Sequence, residues 1–92
     1  MASVLCEIIN IPGAPTAEKT VAVRTSSGRK EYLTVPSHFL HEEGGQHYLP
    51  VVLVKRDRNK RALVHLPAEA DSGANRVWVP LETFQEPTEN VA

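Results

Sequence analysis

Residues 50–67 read PVVLVKRDRNKRALVHLP: two apolar arms, each ended by a proline, around seven residues, Lys55 to Arg61, that carry five positive charges and one negative. Paired so that residue numbers sum to 117, Pro50 faces Pro67, Val51 faces Leu66, Leu53 faces Val64 and Val54 faces Leu63. Apolar partners line up across the pair, as a hairpin register requires. The tip then falls at Arg58-Asn59, where asparagine tolerates the positive φ of a tight turn. Val51 and Leu53 share one face of the first arm, and Val52 and Val54 share the other. A strand of a lone open sheet alternates apolar with polar residues. Here both faces need cover, from the rest of a barrel or from another molecule.

The same punctuation runs along the chain. Proline and glycine recur every ten to fifteen residues, with β-branched residues between them, which is all-β spacing. Six runs qualify as strands: 3–11, 19–25, 30–35, 48–56, 61–66 and 75–80. The longest helical stretches are two short turns, Ser37–Glu43 and Leu81–Gln85. The expected fold is a small all-β domain over residues 1–85, a five- to six-stranded SH3-like barrel or sandwich with one or two short helical turns. Residues 86–92 are expected to be a flexible tail.

A repeat is visible. Residues 27–39 (SGRKEYLTVPSHF) and 72–84 (SGANRVWVPLETF) each run from Ser-Gly through a strand to Val-Pro and a turn ending in Phe. Either the chain is duplicated, or one local device is used twice, in which proline ends a strand and opens a 3₁₀ turn.

Composition bounds the function. Ninety-two residues with 41% apolar and 23% charged content suit one small soluble domain. A chain of this length buries only about 60–65% of its unfolded surface, so its core is shallow. The net charge of −1 supplies no global field for a polyanion. Residues 24–61 hold eight Lys/Arg against four Asp/Glu, whereas 62–92 hold one against five. The two segments can attract one another between molecules. A single cysteine, Cys6, excludes an internal disulfide and sits in an apolar run as a buried hydrophobe. No apolar run reaches the roughly 18–20 residues of a membrane span. The start MASVLCEII lacks a basic region ahead of its apolar residues, and the expected location is the cytoplasm.

Two local resemblances follow from these residues. NRVWVPLETF, residues 75–84, resembles the close of an SH3-like barrel, where a strand runs through a proline-led 3₁₀ turn into a last strand. The five aromatics, Tyr32, Phe39, Tyr48, Trp78 and Phe84, are few for the groove of an SH3-type peptide site. Residues 21–54 resemble the swapped-hairpin barrel of AbrB-type transcription regulators, in which a Gly-led strand meets Val-Pro, a short helix, a glycine and a returning strand. That resemblance implies an intertwined dimer holding DNA through Arg24, Arg29 and Lys30.

Candidate chemistry is sparse. His38, His41 and His47 beside Glu42 and Glu43 have metal-ligand chemistry but no established ligand spacing. Ser27 to Lys30 fits Ser-x-x-Lys, a nucleophile pattern that also describes a turn. The expectation is therefore a non-catalytic module without cofactor or metal that binds protein, itself included, through Val52, Val54 and Trp78. The alternative is nucleic-acid binding through Arg24, Arg29, Lys30, Lys55, Arg56, Arg58, Lys60 and Arg61.

Overall fold

The structure, a computed structural model, describes residues 2–86. The described chain is all-β, with nine short strands: β1 (Ser3–Ile9), β2 (Glu18–Arg24), β3 (Lys30–Pro36), β4 (His41–Glu43), β5 (Gln46–Pro50), β6 (Val52–Asp57), β7 (Arg61–His65), β8 (Arg76–Pro80) and β9 (Phe84–Gln85). Two 3₁₀ turns, Ser37–Phe39 and Leu81–Thr83, follow β3 and β8. The strands form two antiparallel sheets. One runs β3-β2-β1-β5-β4 with β9 also on β1, and the other runs β6-β7-β8. Neither sheet closes on itself among the described residues, so of the barrel or sandwich expected from the sequence the structure shows two antiparallel sheets around one core, with nine strands rather than five or six.

Several expectations are corrected. The run 48–56 is two strands in different sheets. Pro50 ends the ladder with β1 at Ser3, Val51 donates its N–H to the Ala2 carbonyl at 2.9 Å, and Val52 begins pairing with His65. Proline has no N–H to extend a ladder, so a change of partner at Pro50 loses nothing. The register of the hairpin holds at Val52↔His65 and Leu53↔Val64 and then slips. Lys55, not Val54, faces Leu63, and Val54 is the extra residue of a β-bulge. The tip has three residues, Arg58 to Lys60, and the positive φ of 58° falls on Lys60 rather than on Asn59. A type I turn followed by one left-handed residue is the usual three-residue solution, and it places that residue third. The helical turns are shorter than expected. Ser37–Glu43 divides into a 3₁₀ turn and strand β4, and Leu81–Gln85 into a 3₁₀ turn and strand β9. Ile11, inside the expected strand 3–11, lies beyond the end of β1 and is exposed. Of the expected tail, residues 87–92 lie outside the described residues.

The repeat is a property of the whole fold. β1-β2-β3-3₁₀-β4 and β5/β6-β7-β8-3₁₀-β9 are two copies of one unit. Inward side chains correspond pair by pair: Val4 with Leu49, Cys6 with Val51, Ile8 with Leu53, Val21 with Val64, Leu33 with Val77 and Val35 with Val79. The pairings correspond as well, since Ile8↔Val21 in one unit becomes Leu53↔Val64 in the other. Val4 pairs with Leu49 itself, which places a pseudo-two-fold axis between β1 and β5. In the turns, Gly28 donates to the Thr25 carbonyl and Thr25 to the Arg29 carbonyl, while Gly73 donates to Ala70 and Ala70 to Ala74. Gly28 and Gly73 have φ of 90° and 91°, a backbone that only glycine adopts without strain. β4 joins β5 through Gly44-Gly45, and the equivalent pairing of β9 with β1 brings the two ends of the described chain together.

A candidate binding groove and its closed counterpart

Each unit has a groove where the 3₁₀ turn of the other unit crosses the point at which its central strand changes partner. In the second unit the groove is about 440 Å³ and is lined by His38 and Phe39 of the 3₁₀ turn, Pro50, Val51 and Val52 at the β5–β6 corner, and His65, Leu66 and Pro67 at the end of β7. Local sequence explains the shape. Pro36 starts the 3₁₀ turn, and Leu40 donates back to the Ser37 carbonyl at 3.2 Å, which leaves His38 and Phe39 on the rim. The two rings meet edge to face at 5.1 Å. Val51 and Leu66 form the buried floor. Val52 is 59% exposed and Phe39 36%, both large for apolar side chains in so short a chain.

In the first unit the equivalent groove, about 350 Å³, is lined by Leu5, Cys6, Glu7, Ala22, Arg24, Lys30, Glu82 and Thr83. Position by position, Glu7 stands where the other groove has Val52, Ala22 where it has His65, Glu82 where it has His38, and Thr83 where it has Phe39. Arg24 bonds Glu82 at 2.9 Å and Lys30 bonds Glu7 at 3.2 Å. Four charges thus satisfy each other across one groove, closed in the sense that its charges are paired, while the open one presents apolar side chains and two histidines.

The expected interface residues separate. Val52 lines the open groove. Val54, exposed at the bulge, does not. Trp78 is half-buried on the outward face of β8, opposite Leu63, with the Arg61 guanidinium 4.4 Å from its ring centroid and the Lys55 ammonium 5.8 Å away. Sequence reasoning missed Phe39, Pro50 and Pro67 as rim residues. The signal was the proline at each end of the hairpin, which marks where the pairing of its two arms stops.

The eight cations of the nucleic-acid alternative do not form one surface. Arg24 and Lys30 belong to the closed groove, Arg56 pairs with Glu86 and lies 5.8 Å from the Phe84 ring centroid, and Arg61 pairs with Asp57. The hydrogen bond from Arg61 and that from the Asn59 N–H hold the Asp57 carboxyl below its ordinary range. Arg58 and Lys60 are exposed at the tip, and Arg29 lies in the β2–β3 turn. Arg24–Glu82 and Arg56–Glu86 join the basic and acidic segments inside one chain, so part of the attraction expected between molecules is met within this one.

The histidines do not share a helical turn, because His41 is in β4 and stacks on Tyr48 at 5.5 Å. Among the described residues, no group of three or more His, Cys, Asp or Glu is placed to hold a metal ion. Ser27 and Lys30 face different partners, Thr25 and Glu7. Burial raises the Cys6 thiol to about 11. Among the described residues, no helix is long and apolar enough to cross a membrane. No protein-family model, curated protein or solved structure matches the chain.

Proposed function

We propose that this chain is a non-catalytic interaction module that takes an apolar side chain of a partner protein, a second copy of itself included, in the open groove. The observation that carries this reading is the contrast between equivalent grooves: Val52, His38 and Phe39 stand where the other has Glu7, Glu82 and Thr83, its two glutamates ion-paired with Lys30 and Arg24. An apolar cleft with few polar groups is the usual form of a recognition pocket. Fully burying an aliphatic or aromatic side chain contributes about 1.5–3 kcal/mol, so covering Val52 and Phe39 suits a modest, reversible affinity. An SH3-like character fits the same reading, since each unit ends in a strand, a proline-led 3₁₀ turn and a returning strand. A single buried cysteine suits a reducing compartment such as the cytoplasm.

The test is a selection of displayed random peptides on the native chain, counter-screened on Val52→Glu. That change installs the residue found at the equivalent position of the closed groove, at an exposed site where the fold tolerates it. The expected peptides carry a large apolar residue and lose about tenfold or more in affinity for Val52→Glu, a loss of about 1.4 kcal/mol. Peptides that bind both proteins equally, or no enrichment at all, would contradict the reading.

A further inference from the structure

A further concave surface shares no residue with either groove. It is about 460 Å³, and it lies where the β2–β3 turn meets the outward face of β8 and the turn before it. Arg29, Arg61 and Arg76 line it together with Trp78, and the hydroxyls of Thr25, Ser26, Ser27 and Ser72 lie around it. Its one carboxylate, Glu31, accepts a hydrogen bond from the Ser72 hydroxyl at 2.6 Å. Among the described residues Arg29 and Arg76 take part in no ion pair, and both are exposed. Two guanidinium groups without a carboxylate partner line one recess, and their N–H donors suit phosphate oxygens.

The surroundings say which kind of phosphate. The Arg61 guanidinium lies over Trp78, 4.4 Å from its ring centroid, so a cation and an aromatic face together make a platform in the recess. Lys55 flanks the same ring, and the exposed Arg58 and Lys60 continue the basic track along the hairpin. A single phosphorylated side chain uses one recess and leaves this track empty. A strand of regularly spaced phosphates uses both, and its bases supply flat faces to stack on an arginine or tryptophan plane. We infer that this surface binds single-stranded nucleic acid, with a backbone phosphate between Arg29 and Arg76 and a base on the Arg61–Trp78 platform. Duplex bases are stacked on each other and present no free face.

Trp78 is the sole tryptophan, so tryptophan emission reports on this site alone. The experiment titrates the full chain at low salt with short single-stranded RNA and DNA oligonucleotides, with duplex DNA of equal length, with inorganic phosphate and with a serine-phosphorylated peptide. Saturable quenching by the single strands is expected, weakening as salt is raised. Arg29→Gln with Arg76→Gln should reduce that affinity about tenfold or more, while Arg24→Gln with Lys30→Gln, in the closed groove, and Val52→Glu, in the open one, leave it unchanged. Both arginines are exposed, and a far-ultraviolet spectrum confirms that the double variant is folded. The inference is overturned by absent quenching, by quenching that survives Arg29→Gln with Arg76→Gln, or by phosphate or the phosphopeptide binding as tightly as the oligonucleotides. Equal binding of duplex and single strands would likewise overturn it.

Discussion

The N–H of Ser26 donates to the carbonyl of Trp78 at 2.8 Å, which ties the turn of the first unit to a strand of the second. The reciprocal bond runs from Asp71 to the carbonyl of Tyr32 at 2.7 Å. These two bonds bridge the side of the fold where β3 and β8 form no ladder. Each is a clasp between sheets rather than part of one.

The clasp can be removed with one substitution. Ser26 is the first of the three residues of its turn, one place after Thr25 whose carbonyl accepts from Gly28, a position that accepts proline, so Ser26→Pro deletes the donor without disfavouring the turn. The Trp78 carbonyl then loses its partner, and stability should fall by about 1–2 kcal/mol in urea denaturation. An unchanged or raised midpoint would mean that the clasp contributes nothing.

The pseudo-two-fold makes β9 on β1 the counterpart of β4 on β5 without its connecting turn. A permutant that links Glu86 to Ala2 through two glycines and opens the chain between Gly44 and Gly45 should therefore fold. Its thermal midpoint is expected within a few degrees of the parent, and its far-ultraviolet spectrum should superimpose. An unfolded permutant would show that the two pairings are not equivalent.

Lys60 has a φ of 58° at the third position of its turn, where the other two three-residue turns have Gly28 and Gly73. A left-handed backbone costs a residue with a Cβ roughly 1 kcal/mol, partly offset in glycine by the freer unfolded chain. Lys60→Gly should raise stability by about 0.5 kcal/mol, and Gly28→Ala should lower it by about 1 kcal/mol. Denaturation of the two variants side by side measures both.

These turns also show where the sequence was legible. Ser-Gly at 27–28 and 72–73, and Val-Pro at 35–36 and 79–80, mark the repeat because they are local devices with fixed backbone requirements. The arms of the hairpin were legible as cross-strand apolar pairs. The bulge at Val54 was not, because an extra valine in an apolar arm looks like one more alternating residue. Lys60 was hidden because lysine gives no sign of a left-handed backbone. β4 and β9, at three and two residues, are held by their neighbours on β5 and β1 rather than by their own sequence. The groove was half visible. Val52 stood out as an apolar residue on a face needing cover, but Phe39 reaches the same place from a 3₁₀ turn thirteen residues earlier in the chain. Only the path of the chain unites them.

Cys6 yields a pH prediction. Burial raises its thiol from 9.0 to about 11, so the unfolded chain ionises first as the pH climbs. The stability held below pH 9.0 should fall as the pH approaches about 11, by roughly 1 kcal/mol per pH unit over this window. Cys6→Val, which installs the residue of the equivalent position Val51, should remove this component of the slope. Thermal midpoints of both proteins across the window measure it, and parallel curves would contradict it.

The claim that the open groove is the protein-binding site is tested most directly by amide-detected NMR of the native chain titrated with a selected peptide. The account predicts that the largest shifts fall on His38, Phe39, Val51, Val52, His65 and Leu66, with Glu7, Ala22, Glu82 and Thr83 of the closed groove unmoved. Shifts centred on the closed groove, or on Trp78 and its flanking arginines, would contradict it.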